Sequence, residues 1–224
     1  MKQDNLAIRM SGLGGQGVVT AAHILSGAVV KEGRFSTVNP FFGAEKRLAP
    51  AESYVRVSNS KIHERGEIVY PDVIMIFHPH VITLGKCYTM PFFDGLKNEG
   101  ILIVNAEEPL QLSDEDRDNL RALKATLFYI AATSLSMDTA GTDLSANMAM
   151  LGALVGITKI VSLKVLRESL TERFTEKKFV ASATTTALDD TVKSKFAKIS
   201  QLIEKNMEVV KKAGEQVKEY SFEK

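Results

Sequence analysis

Apolar positions along the chain fall into two patterns, and their order predicts an α/β protein. Continuous apolar runs at residues 6–10, 73–77 and 101–104 are of the kind found in strands covered on both faces of a sheet. Residues 35–38, 51–58 and 126–130, rich in strand formers, predict three further strands. Helix-like spacing marks residues 18–29, then Leu163, Leu166, Leu170 and Phe174. It returns in the final stretch 189–220, where Val192, Phe196, Ile199, Ile203, Met207 and Val210 lie along one side. Ser113 before Asp114, Glu115 and Asp116 reads as an N-cap with an acidic first turn, opening a helix to about Lys124. Pro79, between His78 and His80, suits the first turn of a short helix reaching about Cys87. Small apolar residues at 147–154 suit close helix packing, and a Thr/Ser-rich stretch at 182–186 precedes the last helix.

The first strand runs into Gly12-Leu13-Gly14-Gly15-Gln16-Gly17, and the first helix leaves it. Glycines at 12 and 14 permit a sharp turn, and Gly17 lets the helix sit close to the strand. The first helical N–H groups then point at the turn, where a phosphate or carboxylate suits them. Gly12, Gly14 and Gly17 match the dinucleotide pattern, which also expects an acid at the end of the second strand. That strand ends near Val38-Asn39, and Glu32, at the end of the helix, is a poor substitute. No phosphate-loop Gly-Lys-Ser/Thr is present. Three uses of the turn stay open: a tight strand–helix junction against a neighbouring subunit, binding of an anion or cofactor phosphate, or an independent NAD site. The expected architecture is a three-layer, open, mostly parallel Rossmann-like sheet with a helical C-terminal extension. It is read as one domain over 1–224, with 189–220 as a packed helix.

Residues 39–50 carry neither period, and two prolines and a glycine punctuate a loop of about ten residues, longer than most connections. It would leave the sheet edge that carries the glycine turn. Lys46 and Arg47 there are candidates for a phosphate or a partner's carboxylate, unless Glu45 pairs with one of them. His78 and His80 lack a third ligand, so a surface or capping role is the better reading. His23 lies in the first helix, and His63 in a hairpin or loop. Cys87 is most simply a buried small apolar group, and Glu107-Glu108 a solvated turn. No serine elbow, metal set or oriented acid–base pair emerges.

Bulk properties narrow the field further. The 224 residues are 45% hydrophobic and 25% charged, with a net charge of +1, so nothing argues for a nucleic-acid or membrane partner. One cysteine excludes an intramolecular disulfide, and an iron–sulfur cluster or a zinc site built on several cysteines of this chain. No apolar run approaches the roughly 18 residues of a membrane span, and no signal peptide is indicated, so a cytoplasmic location is expected.

The run Gly12-Leu13-Gly14-Gly15-Gln16-Gly17-Val18-Val19-Thr20-Ala21-Ala22 resembles the opening of the gamma subunit of the 2-oxoacid:ferredoxin oxidoreductases, including pyruvate synthase. Phe42-Gly43-Ala44-Glu45-Lys46-Arg47, with residues 51–58, is similar to that family's Gly-Pro-Glu-x-Arg loop and Val-Arg-Ile strand. Ala44 stands for the usual proline, and Leu48-Ala49 for the expected glycines. Pro71-Asp72, Asn147 before Leu151-Gly152-Ala153, and Glu204-Lys205-Asn206 resemble later landmarks, so the likeness spans nearly the whole chain. The resemblance implies a multi-subunit complex that oxidatively decarboxylates a 2-oxoacid and joins the acyl group to coenzyme A. Thiamine diphosphate, magnesium and iron–sulfur clusters are then expected on alpha, beta and delta partners, with ferredoxin or another acceptor reached through them. This chain would support assembly and help shape the coenzyme A route. Gly12, Gly14, Gly15, Gln16, Gly17, Lys46 and Arg47 are the residues such a route would use. A free-standing NAD-binding dehydrogenase is the alternative. The substrate acid, whether pyruvate, an aryl acid or another, is left open.

Overall fold

The computed structural model describes residues 5–43, 48–176 and 189–221, with side chains throughout except at 176 and 189–196. Seven strands form one sheet: β1 (Asn5–Leu13), β2 (Phe35–Phe42), β3 (Pro50–Ser58), β4 (Val73–Ile76), β5 (Ile101–Asn105), β6 (Thr126–Ile130) and β7 (Lys218–Tyr220). Their order is β2-β3-β1-β4-β5-β6-β7. The helices are α1 (Val18–Lys31), α2 (His80–Thr83), α3 (Asp114–Ala122), α4 (Ala132–Ala140), α5 (Ala146–Thr158), α6 (Leu163–Glu176) and α7 (Asp189–Gln216).

The apolar strands feed two cores through their period of two. Met75 and Ile103 point to the face covered by α1, α5, α6 and α7. Ile74, Ile76, Leu102 and Val104 point to the other, where Phe92, Phe93, Leu96 and Leu120 of α3 cover them. Sheet and two coverings make the three layers. On the helical face, α5 is buried almost all round, from Asn147 to Val155, and α7 crosses it closely. A Cβ built at Gly152 would lie 2.2 Å from the Val210 carbonyl oxygen. Ser113 caps α3, accepting from the Asp116 amide at 3.0 Å. Among the described residues no helix is long and apolar enough to cross a membrane.

Four expectations are revised. The sheet is mixed, not mostly parallel: β1–β4, β4–β5 and β5–β6 pair in parallel, while β1–β3, β2–β3 and β6–β7 pair antiparallel. The strand β3 therefore stands between β2 and β1. Next, β2 extends through Asn39-Pro40 to Phe42. Pro40 is accommodated because β2 is an edge strand, where an N–H facing away from the sheet is not needed. The helix after Pro79 ends at Thr83 rather than Cys87, followed by Gly85 at φ 57°. The last helix stops at Gln216, and Lys218–Tyr220 add to β6 instead, with the Tyr220 ring 5.8 Å from that of Tyr129. The stripe on α7 holds where side chains are described, with Ile199, Ile203 and Val210 buried. The Thr/Ser stretch at 182–186 lies outside the described residues.

Candidate functional site

The parallel strands β1, β4, β5 and β6 end on one edge, which carries the glycine turn, His78, Asn105 and Ala131 in succession. Strand β1 continues its antiparallel ladder past Leu13: the Gly14 amide donates to the Ala49 carbonyl at 2.8 Å, and the Leu48 amide to the Gly14 carbonyl at 3.3 Å. Gln16 closes the turn, its Oε1 accepting from the Leu13 amide at 3.0 Å and its own amide donating to the Leu13 carbonyl at 3.2 Å. Gly15 and Gly17 take φ values of 98° and 74°, in the left-handed region that favours glycine. At Gly12 the constraint is space, since a Cβ there would meet Val18 Cγ2 at 2.7 Å and Phe77 Cβ at 2.9 Å. Gly17 is braced from the far side by Asn147 at the start of α5, whose Nδ2 donates to the Gly17 carbonyl at 3.4 Å.

Helix α1 thus begins with the amides of Val18, Val19 and Thr20, which have no acceptor within the helix. These three residues line a cleft of about 590 Å³ between the turn and the ends of β2 and β3, with Phe42, Gly43 and Pro50 also in its lining. The cleft lies on the β3 side of β1. Toward β4, Phe77 packs against Gly12, and its amide donates to the Ser11 carbonyl at 2.8 Å. Of the seven candidate residues, the structure joins Gly12, Gly14, Gly15, Gln16 and Gly17 in one turn. Lys46 and Arg47 lie outside the described residues. Glu32 is engaged elsewhere, accepting from the Ser162 amide at 2.6 Å.

A buried charged cluster was not foreseen. Arg9, in the apolar first strand, is 2% exposed, and its Nη2 donates to the carbonyls of Phe92 at 3.0 Å and Asp94 at 2.8 Å. Glu52, 1% exposed, accepts from the Tyr54 hydroxyl at 2.7 Å and the Tyr88 amide at 3.3 Å. Burial lowers the Arg9 pKa, opposed chiefly by Glu52. Burial and then the hydrogen bond to Glu52 raise that of Tyr54. The one available sequence signal was an arginine interrupting an apolar strand.

The remaining polar candidates are structural. His78 Nδ1 accepts from the His80 amide at 3.1 Å, with the two rings 4.4 Å apart. Burial, then His80 and Lys86, lower the His78 pKa. Among the described residues no three His, Cys, Asp or Glu side chains gather as a metal site. Cys87 is half-buried and donates to the Thr89 carbonyl at 3.0 Å, and burial raises its pKa. Asn105 ties three strand ends together: its Nδ2 donates to the Phe77 carbonyl at 3.0 Å and to Thr133 Oγ1 at 3.1 Å, and its Oδ1 accepts from the Ala132 amide at 3.0 Å. A larger cleft of about 830 Å³ lies between α4, α7 and β7, where Ser134 donates to Glu107 and Lys212 to Thr139.

Residues 7–186 match the family model described as pyruvate ferredoxin/flavodoxin oxidoreductase. The chain is 35% identical over 169 residues to the pyruvate/ketoisovalerate oxidoreductases common subunit gamma of Thermococcus kodakarensis, covering 75% of this chain and 86% of that one. It is 32% identical to the pyruvate synthase subunit PorC of Methanothermobacter thermautotrophicus, over 75% of this chain and 85% of the relative. In structure it is similar to pyruvate oxidoreductase subunit PORC of Thermotoga maritima, with a TM-score of 0.69 at 22% identity, covering 98% and 100% of the two chains. It also overlays 30% of a 2-oxoglutarate:ferredoxin oxidoreductase chain from Magnetococcus marinus, with 94% of this chain covered, a TM-score of 0.66 and 20% identity.

Proposed function

The chain belongs to the pyruvate ferredoxin/flavodoxin oxidoreductase family as a gamma subunit, and from that premise we propose that it works within an assembly that forms acyl-coenzyme A. The overall reaction converts a 2-oxoacid and coenzyme A to acyl-CoA and carbon dioxide, and two electrons pass singly to ferredoxin or another acceptor. The decarboxylating and electron-carrying groups, thiamine diphosphate with magnesium and the iron–sulfur clusters, belong to alpha-, beta- and delta-type partners. This chain's one cysteine, half-buried and bonded to backbone carbonyls, does not supply the set of thiolates that an iron–sulfur cluster needs. The chain's part is to join those components and to border the path of coenzyme A.

The observation that carries the site is the start of α1, where Val18, Val19 and Thr20, with amides unbonded within the helix, line an open cleft beside two left-handed glycines. Such amides suit a pyrophosphate. Gly43 lines the cleft, and Leu48 bonds to the turn beside it. Lys46 and Arg47, carried between them in sequence, are proposed to add charge to the same phosphates. A free-standing dinucleotide enzyme is the weaker reading, because β3 separates β2 from β1 and Glu32 already holds the Ser162 amide.

In the assembled complex, Arg47→Ala should raise the KM for coenzyme A about tenfold, the loss of one charge-assisted hydrogen bond. Unchanged KM with intact assembly rejects the assignment. Native mass measurement of the protein from its source should find it with partners carrying thiamine diphosphate and clusters. A stable single chain that binds NAD would favour the dehydrogenase.

A further inference from the structure

Large apolar side chains stand exposed where the end of β2 meets the segment after α2. Successive strand residues point to opposite faces of a sheet, so Phe41 and Phe42 part company. Phe42 lines the cleft, on the face where Val38 packs into the α1 core. Phe41 lies opposite Glu52 in register, on the other face. There the Tyr88 ring meets Phe41 edge-on, with centroids 4.7 Å apart. Beside Tyr88, Cys87 Sγ lies 3.2 Å from Met90 Sδ, and a Cβ at Gly85, next to Leu84, would lie 3.5 Å from Met90 Cε. Phe41, Tyr88, Leu84 and Met90 are 41%, 42%, 59% and 62% exposed. The stretch from Leu84 to Phe93 includes one charged residue, Lys86. A chain that works alone rarely leaves such a group of side chains to water.

The patch is also held in place. Glu52 accepts from the Tyr88 amide at 3.3 Å, and Arg9 donates to the carbonyls of Phe92 and Asp94 at 3.0 and 2.8 Å. A partner therefore meets an ordered surface and loses little to immobilising it. Charge indicates what that partner presents. Lys86 and His80 both disfavour charge on His78, and no carboxylate offsets them. Among the described residues no ion pair holds Lys86. Glu52 is buried, with its two oxygens on Tyr54 and Tyr88.

We propose that Phe41, Leu84, Tyr88 and Met90 form the docking surface for a partner subunit of the assembly, one that presents apolar side chains with a carboxylate against Lys86. Aromatic and methionine side chains with few charges compose the centre of an interface, and a cation at its rim sets the partner's orientation. The inference rests on the chain's place in an assembly and is independent of the coenzyme A reading of the cleft, which lies on the other face.

The test uses the complex purified with a variant chain in place of the native one, its dissociation on dilution followed by native mass measurement. Tyr88→Ser and Met90→Ser should each raise the dissociation constant of the chain from its partners about tenfold, as loss of an interface anchor does. Lys86→Glu, which sets like charges together, should raise it at least as much, and Lys86→Gln less. Leu144→Ser is the control: it removes a side chain 75% exposed just before α5 and should leave the constant unchanged. Urea unfolding of each full-length variant separates docking from folding, and the midpoints should match the native one. Unchanged dissociation in Tyr88→Ser and Met90→Ser, or an equal rise in Leu144→Ser, overturns the surface. Unchanged dissociation in Lys86→Glu overturns the acidic partner, and that variant decides where a serine variant lowers the midpoint. If the full chain alone forms a dimer that Met90→Ser dissolves, a second copy covers the patch and the proposal is wrong. If the native chain has no partners at all, the assembly reading falls with it.

Discussion

Replacing Gly17 by alanine should destabilise the chain well beyond the ordinary cost of a left-handed residue. Gly17 has φ 74°, and its new methyl would sit 2.4 Å from Asn147 Nδ2 and 3.0 Å from Asn147 Cγ. The backbone contributes about 1–2 kcal/mol, the penalty for an L-residue in that region. Asn147 is 7% exposed at the start of α5, so it can yield only by giving up its bond to the Gly17 carbonyl and pressing on its neighbours. The lost bond is worth about 1 kcal/mol and the overpacking about 1–3 kcal/mol, giving roughly 3–6 kcal/mol in all. Gly33 is the control: its φ is 79°, but nothing lies within 4 Å of an added Cβ, so Gly33→Ala should cost only the backbone part. Urea unfolding of the full chain, followed by circular dichroism, measures both. In an Asn147→Ala background the Gly17→Ala penalty should fall toward the Gly33 value. Equal losses at 17 and 33, or a penalty indifferent to Asn147, would refute the claim that Asn147 braces the turn.

Asn105→Ala removes three hydrogen bonds that join the ends of β4, β5 and β6, and should cost about 2–4 kcal/mol in the same unfolding measurement. A loss below about 1 kcal/mol would mean that water replaces the amide without penalty. His78 should titrate below the ordinary histidine value of 6.5, because burial, His80 and Lys86 all disfavour its charge. The fold then binds that proton less tightly than the unfolded chain does, so the contribution of His78 to stability is constant above pH 6.5 and falls as acid is added below it. NMR titration, with the signal assigned by its loss in His78→Ala, checks this, and a midpoint at or above 6.5 contradicts it.

Much of the architecture was legible in local pattern. The runs at 73–77 and 101–104 had to be strands covered on both sides, because alternate apolar side chains face opposite ways and each needs a core. Ser113 announced α3 for a purely local reason, its hydroxyl reaching an amide three residues on. The glycine turn was equally plain, since left-handed φ values and a close strand–helix junction both exclude a Cβ. What tertiary structure alone decided is who stands beside whom. Nothing within β3 requires it to lie between β2 and β1, and that insertion moved the cleft to the β3 side of the turn. Strand β7 read as the end of a helix because its three residues become a strand only when β6 supplies the ladder. Arg9 finds its partners 83 and 85 residues away, and Asn147 reaches Gly17 across 130. Periodicity records which side of an element is apolar. A buried charge or a bracing amide depends on partners that only the folded chain brings into reach.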